Sequence, residues 1–335
     1  MSTEIVESAP KRRSGGAFGR LKSFDEFGLV LALVVLVMLI GVPNPAFFSI
    51  GSIKTILRES AFVGTIALGM VYLVSMLEVD LSVGAIYAVS TTTTALLITR
   101  GLDPFAAVGI GLVIGVMLGA LNGVLAAQLD TPLVILSLGT LSVYFGLNLM
   151  ISGGRTIAGM PRQHLFFRVF GGEVLGLPTP IWVMFLCGVI LHFVFFYTRF
   201  GATVRAIGAN KAAAEFIGIK VNAVRIQATA LVGLLCAISG VMTLAFFKAV
   251  DTSMGAGKEL QVIAAVVIGG TSLSGGTGSL LGAVLGVMII TVIDSGIVFF
   301  GIDSNYARFV TGCVIVSAIA LDRTLKQRKM PAGEH

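Results

Sequence analysis

Charge is what this sequence has least of. Only 12% of its 335 residues are Asp, Glu, Lys or Arg, about half the roughly 25% of an ordinary soluble domain. So few charges cannot clothe a water-facing surface. The 56% hydrophobic content and the mean hydropathy of +0.98 point to a bilayer instead. Apolar runs long enough to span a membrane, about 20 residues each, recur from Phe27 onward, and no stretch remains for a separate soluble domain. The chain reads as an all-α integral membrane protein.

Reactive residues are equally sparse. Cys187, Cys236 and Cys313 all fall within apolar runs. An odd count without paired spacing argues against a disulfide framework or a metal site, so they are expected to be buried small hydrophobes. The histidines are His164, in a loop, His335, at the terminus, and His192, expected as a packed or hydrogen-bonded residue of a span. A serine nucleophile needs a base within reach, and none is on offer, so intramembrane proteolysis is excluded. The glycine-rich stretch VVIGGTSLSGGTGSLLGAV, residues 266–284, lacks the Lys-Ser/Thr that a phosphate loop requires after its last glycine. The Gly257-Lys258 pair is followed by Glu259, so no nucleotide site of that kind is present. The net charge of +6 lies mainly in the tails and one loop, which topology explains better than nucleic-acid binding.

The apolar runs fall near 27–44, 60–77, 83–99, 105–126, 132–151, 180–198, 227–247, 260–271, 279–299 and 306–321, about ten transmembrane helices, several of them short or broken. The polar opening MSTEIVESAPKRRSGGAFGRLKSFDEF has neither the short apolar core nor the cleavage site of a secretory signal. Residues 1–24 are therefore expected as a basic cytoplasmic tail, 25–322 as one transmembrane domain and 323–335 as a second cytoplasmic tail. Basic residues are more numerous on the side of the tails and of the loop 198–226, which places both termini in the cytoplasm. Trp182 and Tyr197 sit near opposite ends of the sixth span, as an aromatic belt requires. Gly111, Gly115 and Gly119 form a ridge of small residues suited to close helix packing.

Three polar stretches interrupt this pattern. In SMLEVDLSVGAIYA, residues 75–88, Glu78 and Asp80 lie between apolar runs with no basic residue near them in sequence. Either they form an interfacial turn, with Asp80 and Ser82 capping the third helix, or the hairpin lines a pathway where intramembrane polar groups gather. The break at 269–279, with Ser272 and Ser274, is a second pathway candidate, because irregular backbone at membrane depth is tolerated where it is buried or lines a watery cavity. The third is the loop TRFGATVRAIGANKAAAEFIGIKVNAVRI, residues 198–226. Within it NKAAAEFIG reads as a short helix that Asn210 caps and Gly218 ends, with Ile217 and Ile219 as apolar anchors. Such a helix suits docking into a partner's groove; an ordinary surface loop fits the pattern equally well.

Taken in order, EVDLSVGAIYA, LVILSLGTLSVYFGLNLMISGGRTI, TRFGATVRAIGANKAAAEFIGIKV, KELQVIAAVVIGGTSLSGGTGSLLGAVLG and SGIVFFGIDSNYARFVTG resemble one family. It is that of the permease subunits of bacterial ABC sugar importers of the ribose, xylose, arabinose and galactose class, with branched-chain amino-acid permeases more distant. The resemblance implies a dimeric pathway in the inner membrane, a second permease copy, ABC ATPase subunits below and a periplasmic sugar-binding protein above. It makes 210–218 the coupling helix, with Arg205, Gly208, Asn210, Ala214, Glu215 and Gly218 as the residues that engage the ATPase. ATP is then used by the partner subunit, and this chain binds no cofactor and is not itself an enzyme. The family more often has Gly at position 78, Asn at 294 and Asp at 261, where this chain has Glu78, Asp294 and Gln261. Asp294, inside an apolar run, is expected to be protonated or paired, with Arg308 a candidate partner, and to touch the pathway. The competing reading is a secondary transporter driven by an ion gradient, which also uses broken helices and intramembrane acids.

Overall fold

The computed structural model describes residues 24–302 together with positions 306, 309, 312 and 313. The two expected tails, the expected tenth span and Arg308 lie outside, or almost wholly outside, the described residues. What is described is helical apart from short connections. The helices are α1 (Phe24–Gly41), α2 (Ile50–Ser75), α3 (Val83–Thr99), α4 (Pro104–Gln128), α5 (Leu133–Ser152), α6 (Leu165–Phe170), α7 (Thr179–Tyr197), α8 (Arg199–Ala209), α9 (Lys211–Phe216), α10 (Val221–Phe247), α11 (Lys258–Ile268) and α12 (Leu280–Phe299). Two strands, β1 (Glu173–Val174) and β2 (Leu177–Pro178), form an antiparallel hairpin. The sequence reading anticipated neither this hairpin nor α6.

Among the described residues six helices, α2, α4, α5, α7, α10 and α12, are long and apolar enough to cross a membrane; α3 and α1 are shorter apolar helices. Their starts follow local chemistry. Asp103 accepts from the amides of Phe105 and Ala106 at 2.9 and 3.2 Å, with Pro104 at the first helical position of α4. Ser49 and Ser279 cap α2 and α12 in the same way.

The connections gather at two ends of the bundle. At the hairpin end, Lys54 pairs with Glu173 at 2.6 Å, Thr156 donates to Asp251 at 3.3 Å, and Ile157 and Val250 exchange backbone hydrogen bonds. Trp182 anchors here through a 2.9 Å bond to the Val174 carbonyl. The opposite end carries the turns 76–82 and 129–132, the break 269–279 and helices α8 and α9.

The core is built on α2, α3 and α10, with α10 packed against the other two. Every residue from Ala61 to Met76 is buried, as is every residue from Ser82 to Thr92. Around α2 and α3, the outer helices turn apolar side chains away from the protein: Val113, Met117 and Leu121 on α4, and Phe185, Val189 and Phe193 on α7, are exposed at four-residue spacing. This is a face that only lipid or another membrane helix can cover. His192, expected to be packed, instead lies on the exposed face of α7 beside the Phe196 ring, with centroids 4.6 Å apart. Of the cysteines, Cys236 is buried as expected, Cys187 is half-buried and Cys313 exposed; all are free thiols.

Some of the polar residues inside α3 are satisfied by its own backbone or by a neighbouring helix. Thr91 and Thr94 donate to carbonyls one turn back at 2.6 and 2.8 Å, and Thr92 reaches Asn148 of α5 at 2.6 Å. The glycine ridge does what its spacing predicted. Gly111 lies against Thr94 of α3, while Gly115 and Gly119 lie against Gly233 of α10 with backbone touching backbone.

A second contact of that kind organises the centre. The loop 248–257 leaves α10 at the hairpin end and runs inward until Gly255 abuts Gly84, at the start of α3. Thus α3 begins inside the bundle, its start covered by Gly255, while Asp251, Ser253 and Ala256 of the same loop stay exposed. The break expected at membrane depth, 269–279, is instead at the α8–α9 end, where the Gly276 amide donates to the Ser75 carbonyl at 2.9 Å.

Filling the α4–α10 contact tests this packing. Gly233→Val is expected to lower the melting temperature in detergent by an amount equivalent to about 1–3 kcal/mol, because a Cβ there meets the backbone of Gly115 and Gly119. Gly139→Ala, which meets nothing within 4 Å, should leave melting unchanged.

Candidate coupling site and translocation path

The corner between α7 and α8 is built before α9 can project. Thr198 accepts from the Gly201 amide at 3.4 Å, and Gly201 is pressed against the Phe195 backbone so closely that a side chain has no room. Arg205 donates to the Phe195 carbonyl, and its guanidinium lies 5.1 and 5.5 Å from the ring centres of Phe195 and Phe196. Arg205 therefore holds the corner rather than projecting from it. One turn on, Gly208 is buried against the Ser75 carbonyl and the Gly276 amide.

From this footing α9 stands out. Asn210 accepts from the Ala213 amide at 3.0 Å and so caps α9; Gly218, at φ +89°, supplies the left-handed turn that ends it. Ala214 is buried and faces the body of the protein, while Glu215 is exposed and stands 4.0 Å from Lys211 at i,i+4 spacing. Phe216 is 93% exposed and Ile217 73%. Ile219, expected as an anchor, instead packs against the core, and Phe216 takes its place. Helical geometry carried that signal: a residue two positions beyond an inward-facing one points the other way.

Glu78 has a partner that sequence distance concealed. Its carboxylate pairs with Arg225, near the start of α10, and also accepts from the Leu133 amide at 3.1 Å, at the start of α5. The side chains of the pair are only 13% and 8% exposed. The ion pair and Lys211 of α9 line one cavity of about 270 Å³.

Asp80 is completely enclosed. One oxygen accepts from the amide and hydroxyl of Ser82 at 2.8 and 2.7 Å; the other accepts from Asn122 of α4 at 3.0 Å. Asn122 also donates to the Ser82 hydroxyl at 2.7 Å and accepts from Tyr144 of α5 at 2.9 Å. The expected capping of α3 by Asp80 and Ser82 does not form. Ser82 occupies the position just before α3, but its side chain makes no cap bond; Asp80 turns back on the Ser82 amide and fixes the turn before the helix. The network satisfies a carboxylate that would otherwise be costly to bury.

The five residues expected along a pathway thus fall in three places. Asp80 and Ser82 join α3, α4 and α5. Ser272 and Ser274 lie in the break at the α8–α9 end, where the Ser274 amide donates to the Ser272 hydroxyl at 3.1 Å and Ser274 is exposed. Asp294 lies toward the hairpin end of α12 and accepts from Gln261 of α11 at 3.2 Å. It lines a cavity of about 240 Å³ with Glu59 of α2, Lys258 and Gln261 of α11, and Thr291 and Ser295 of α12. Sequence reading singled out Asp294 and Gln261 separately and missed Glu59 and Lys258, whose convergence depends on where α11 begins. Among the described residues, no cluster of three or more His, Cys, Asp or Glu side chains is placed to hold a metal.

The family model described as "Branched-chain amino acid transport system / permease component" matches residues 52–319. The "Ribose import permease protein RbsC" of Bacillus subtilis is 38% identical over 325 residues, covering 96% of this chain and 99% of that protein. Its namesake from Escherichia coli K12 is 32% identical over 88% of this chain and 92% of its own length. The "D-allose transport system permease protein AlsC" of the same strain is 32% identical over 91% of this chain and 93% of its own. No solved structure matches.

The buried ion pair gives a direct test. Glu78→Ala strands Arg225 and is expected to destabilise the folded chain by on the order of 3–5 kcal/mol. The double variant Glu78→Ala/Arg225→Ala should lose clearly less than the sum of the two single losses, read as a double-mutant cycle of thermal stability.

Proposed function

We propose, from the premise that this chain belongs to the branched-chain amino acid transport system / permease component family, that it is the transmembrane permease subunit of an ATP-driven ABC importer. It moves a monosaccharide or related small polyol across the bacterial inner (plasma) membrane. The sugar class rests on relatives named for ribose and allose. The observation that carries the mechanism is α9: a capped helix seated on Ala214, with Phe216 and Ile217 held out from the bundle.

In this reading the α8–α9 end faces the cytoplasm and the hairpin end faces a soluble sugar-binding protein. About ten helices cross the membrane, and both termini are cytoplasmic. The ATPase subunits receive α9 in a groove, Phe216 and Ile217 entering it and Glu215 meeting its rim. Asn210 and Gly218 fix the length of the helix, while Arg205 and Gly208 support it from behind. ATP is bound and hydrolysed by those partners, and this chain performs no covalent chemistry. A second permease copy covers apolar helix faces now open, including that of α7 with His192.

Force has two routes inward from α9. Through α8 it reaches Gly208, which is wedged between Ser75 and Gly276, and so the break that joins α11 to α12. Through α10 it reaches Arg225, whose pairing with Glu78 moves the α2–α3 turn and the start of α5 together. Alternating access follows from shifts of packed helices rather than bending of one. Contacts along the path must be weak enough to release the sugar.

Purification in mild detergent tests the assembly. The native chain is expected to bring an ATPase with it, and Phe216→Asp or Ile217→Asp to lose that partner. Glu215→Lys and Gly218→Val should keep it but cut sugar uptake at least tenfold relative to ATP hydrolysis. A chain that instead moves solute by itself down an ion gradient in liposomes would replace this reading with a secondary transporter.

A further inference from the structure

The cavity between α2, α11 and α12 sets six polar side chains beside Val63, Ile290 and Val298. Glu59 and Asp294 offer acceptors only, Lys258 donors only, and Gln261, Thr291 and Ser295 both. None of these six side chains is fully exposed. Gln261 already spans the gap between α11 and α12 to reach Asp294, so the two helices present their polar groups to one another across the same space.

The cavity has a floor on the side of α8 and α9. There α11 and α12 cross backbone to backbone, with Gly269 against Gly282 and Ala265 against Gly286. The facing stretch of α2, from Ile66 to Val74, is wholly buried. Glu59, by contrast, lies next to Arg58, whose guanidinium rests 3.7 Å above the Phe246 ring in the last turn of α10, at the hairpin end. The polar chamber therefore lies above a closed crossing and toward the hairpin end.

The lining also restricts the occupant. An apolar molecule would strip water from six polar side chains and return no hydrogen bonds. An anion would meet two carboxylates. A compact neutral molecule rich in hydroxyls suits the set, because each hydroxyl donates to Glu59 or Asp294 while accepting from Lys258 or the Gln261 amide.

We propose that this cavity is a station for the transported sugar within the membrane: a neutral polyhydroxylated molecule rests on Glu59, Lys258, Gln261 and Asp294 above the α11–α12 crossing, before that crossing opens toward the cytoplasm. The proposal builds on the importer reading, and adds to it a place and a set of hydrogen-bonding partners. The break 269–279 ties the crossing to Gly208, so the floor of the station and the footing of α9 are mechanically one piece.

The test uses the chain reconstituted in liposomes with its ATPase and binding protein, with D-ribose, D-allose, D-xylose and sorbitol as probes. For Gln261→Leu and Asp294→Leu, uptake is expected to fall at least tenfold while hydrolysis stimulated by the binding protein stays within twofold. Leu281→Ala, away from the chamber, should change neither. Uptake within twofold of the parent in both chamber variants overturns the station and leaves the importer standing. Should those variants misfold, Ser295→Cys answers instead. It is expected to react with a membrane-impermeant thiol reagent applied from the binding-protein side, and transported sugar should slow that reaction at least threefold. No reaction, or reaction indifferent to the sugar, overturns the station. A parent complex with neither stimulated hydrolysis nor uptake of any probe counts against the importer reading itself.

Discussion

Backbone that leaves a helix inside a bilayer-spanning bundle has no water to turn to, and must be covered by protein at once. Among the described residues the start of α3 is covered in this way, by the loop that leads into α11. Gly84 and Gly255 meet there with no side chain between them. Most other features of the centre follow from that contact. Because α3 starts within the protein, the turn before it carries Asp80 into the interior, and Ser82, Asn122 and Tyr144 have to satisfy its carboxylate. Because the same contact leads into α11, Lys258 and Gln261 come to face Glu59 and Asp294 rather than solvent.

Glycine serves two distinct purposes in this architecture. Along α4 and α10 it allows long helices to lie backbone on backbone, a static contact in which shape complementarity replaces the hydrophobic effect that lipid cannot supply. At Gly208, Gly269, Gly276 and Gly282 it brings together short segments that belong to different helices at the α8–α9 end and beneath the polar chamber. Close-packed contacts transmit displacement because there is no soft side chain to absorb it. The same residue type thus fixes the frame and links the moving parts, and only position separates the two uses.

Buried charge is handled differently at the two ends. Near α9, Glu78 and Arg225 neutralise one another and tie three helix starts together. Toward the hairpin end, two carboxylates and one ammonium share a chamber with amide and hydroxyl groups. The first arrangement is compact and saturated, suited to holding geometry. The second surrounds open space, suited to holding something that comes and goes.

Much of this was legible in the order of residues. Scarce charge and repeated apolar runs determined a helical membrane protein, because no other solvent accepts such a chain. The glycine spacing of α4, the cap at Asn210 and the stop at Gly218 determined their elements, because each acts within a turn or two of itself. The motifs that resemble sugar permeases marked the loop around α9. Other matters were decided only when the chain was folded. Arg225 pairs with Glu78, and Lys258 comes to line one cavity with Glu59, across long sequence separations. Ile219 turns inward while Phe216 turns out, and the inward loop is 248–257 rather than 269–279. These outcomes depend on which helix ends share a depth, and that is set by packing among all the helices together, which local pattern does not encode.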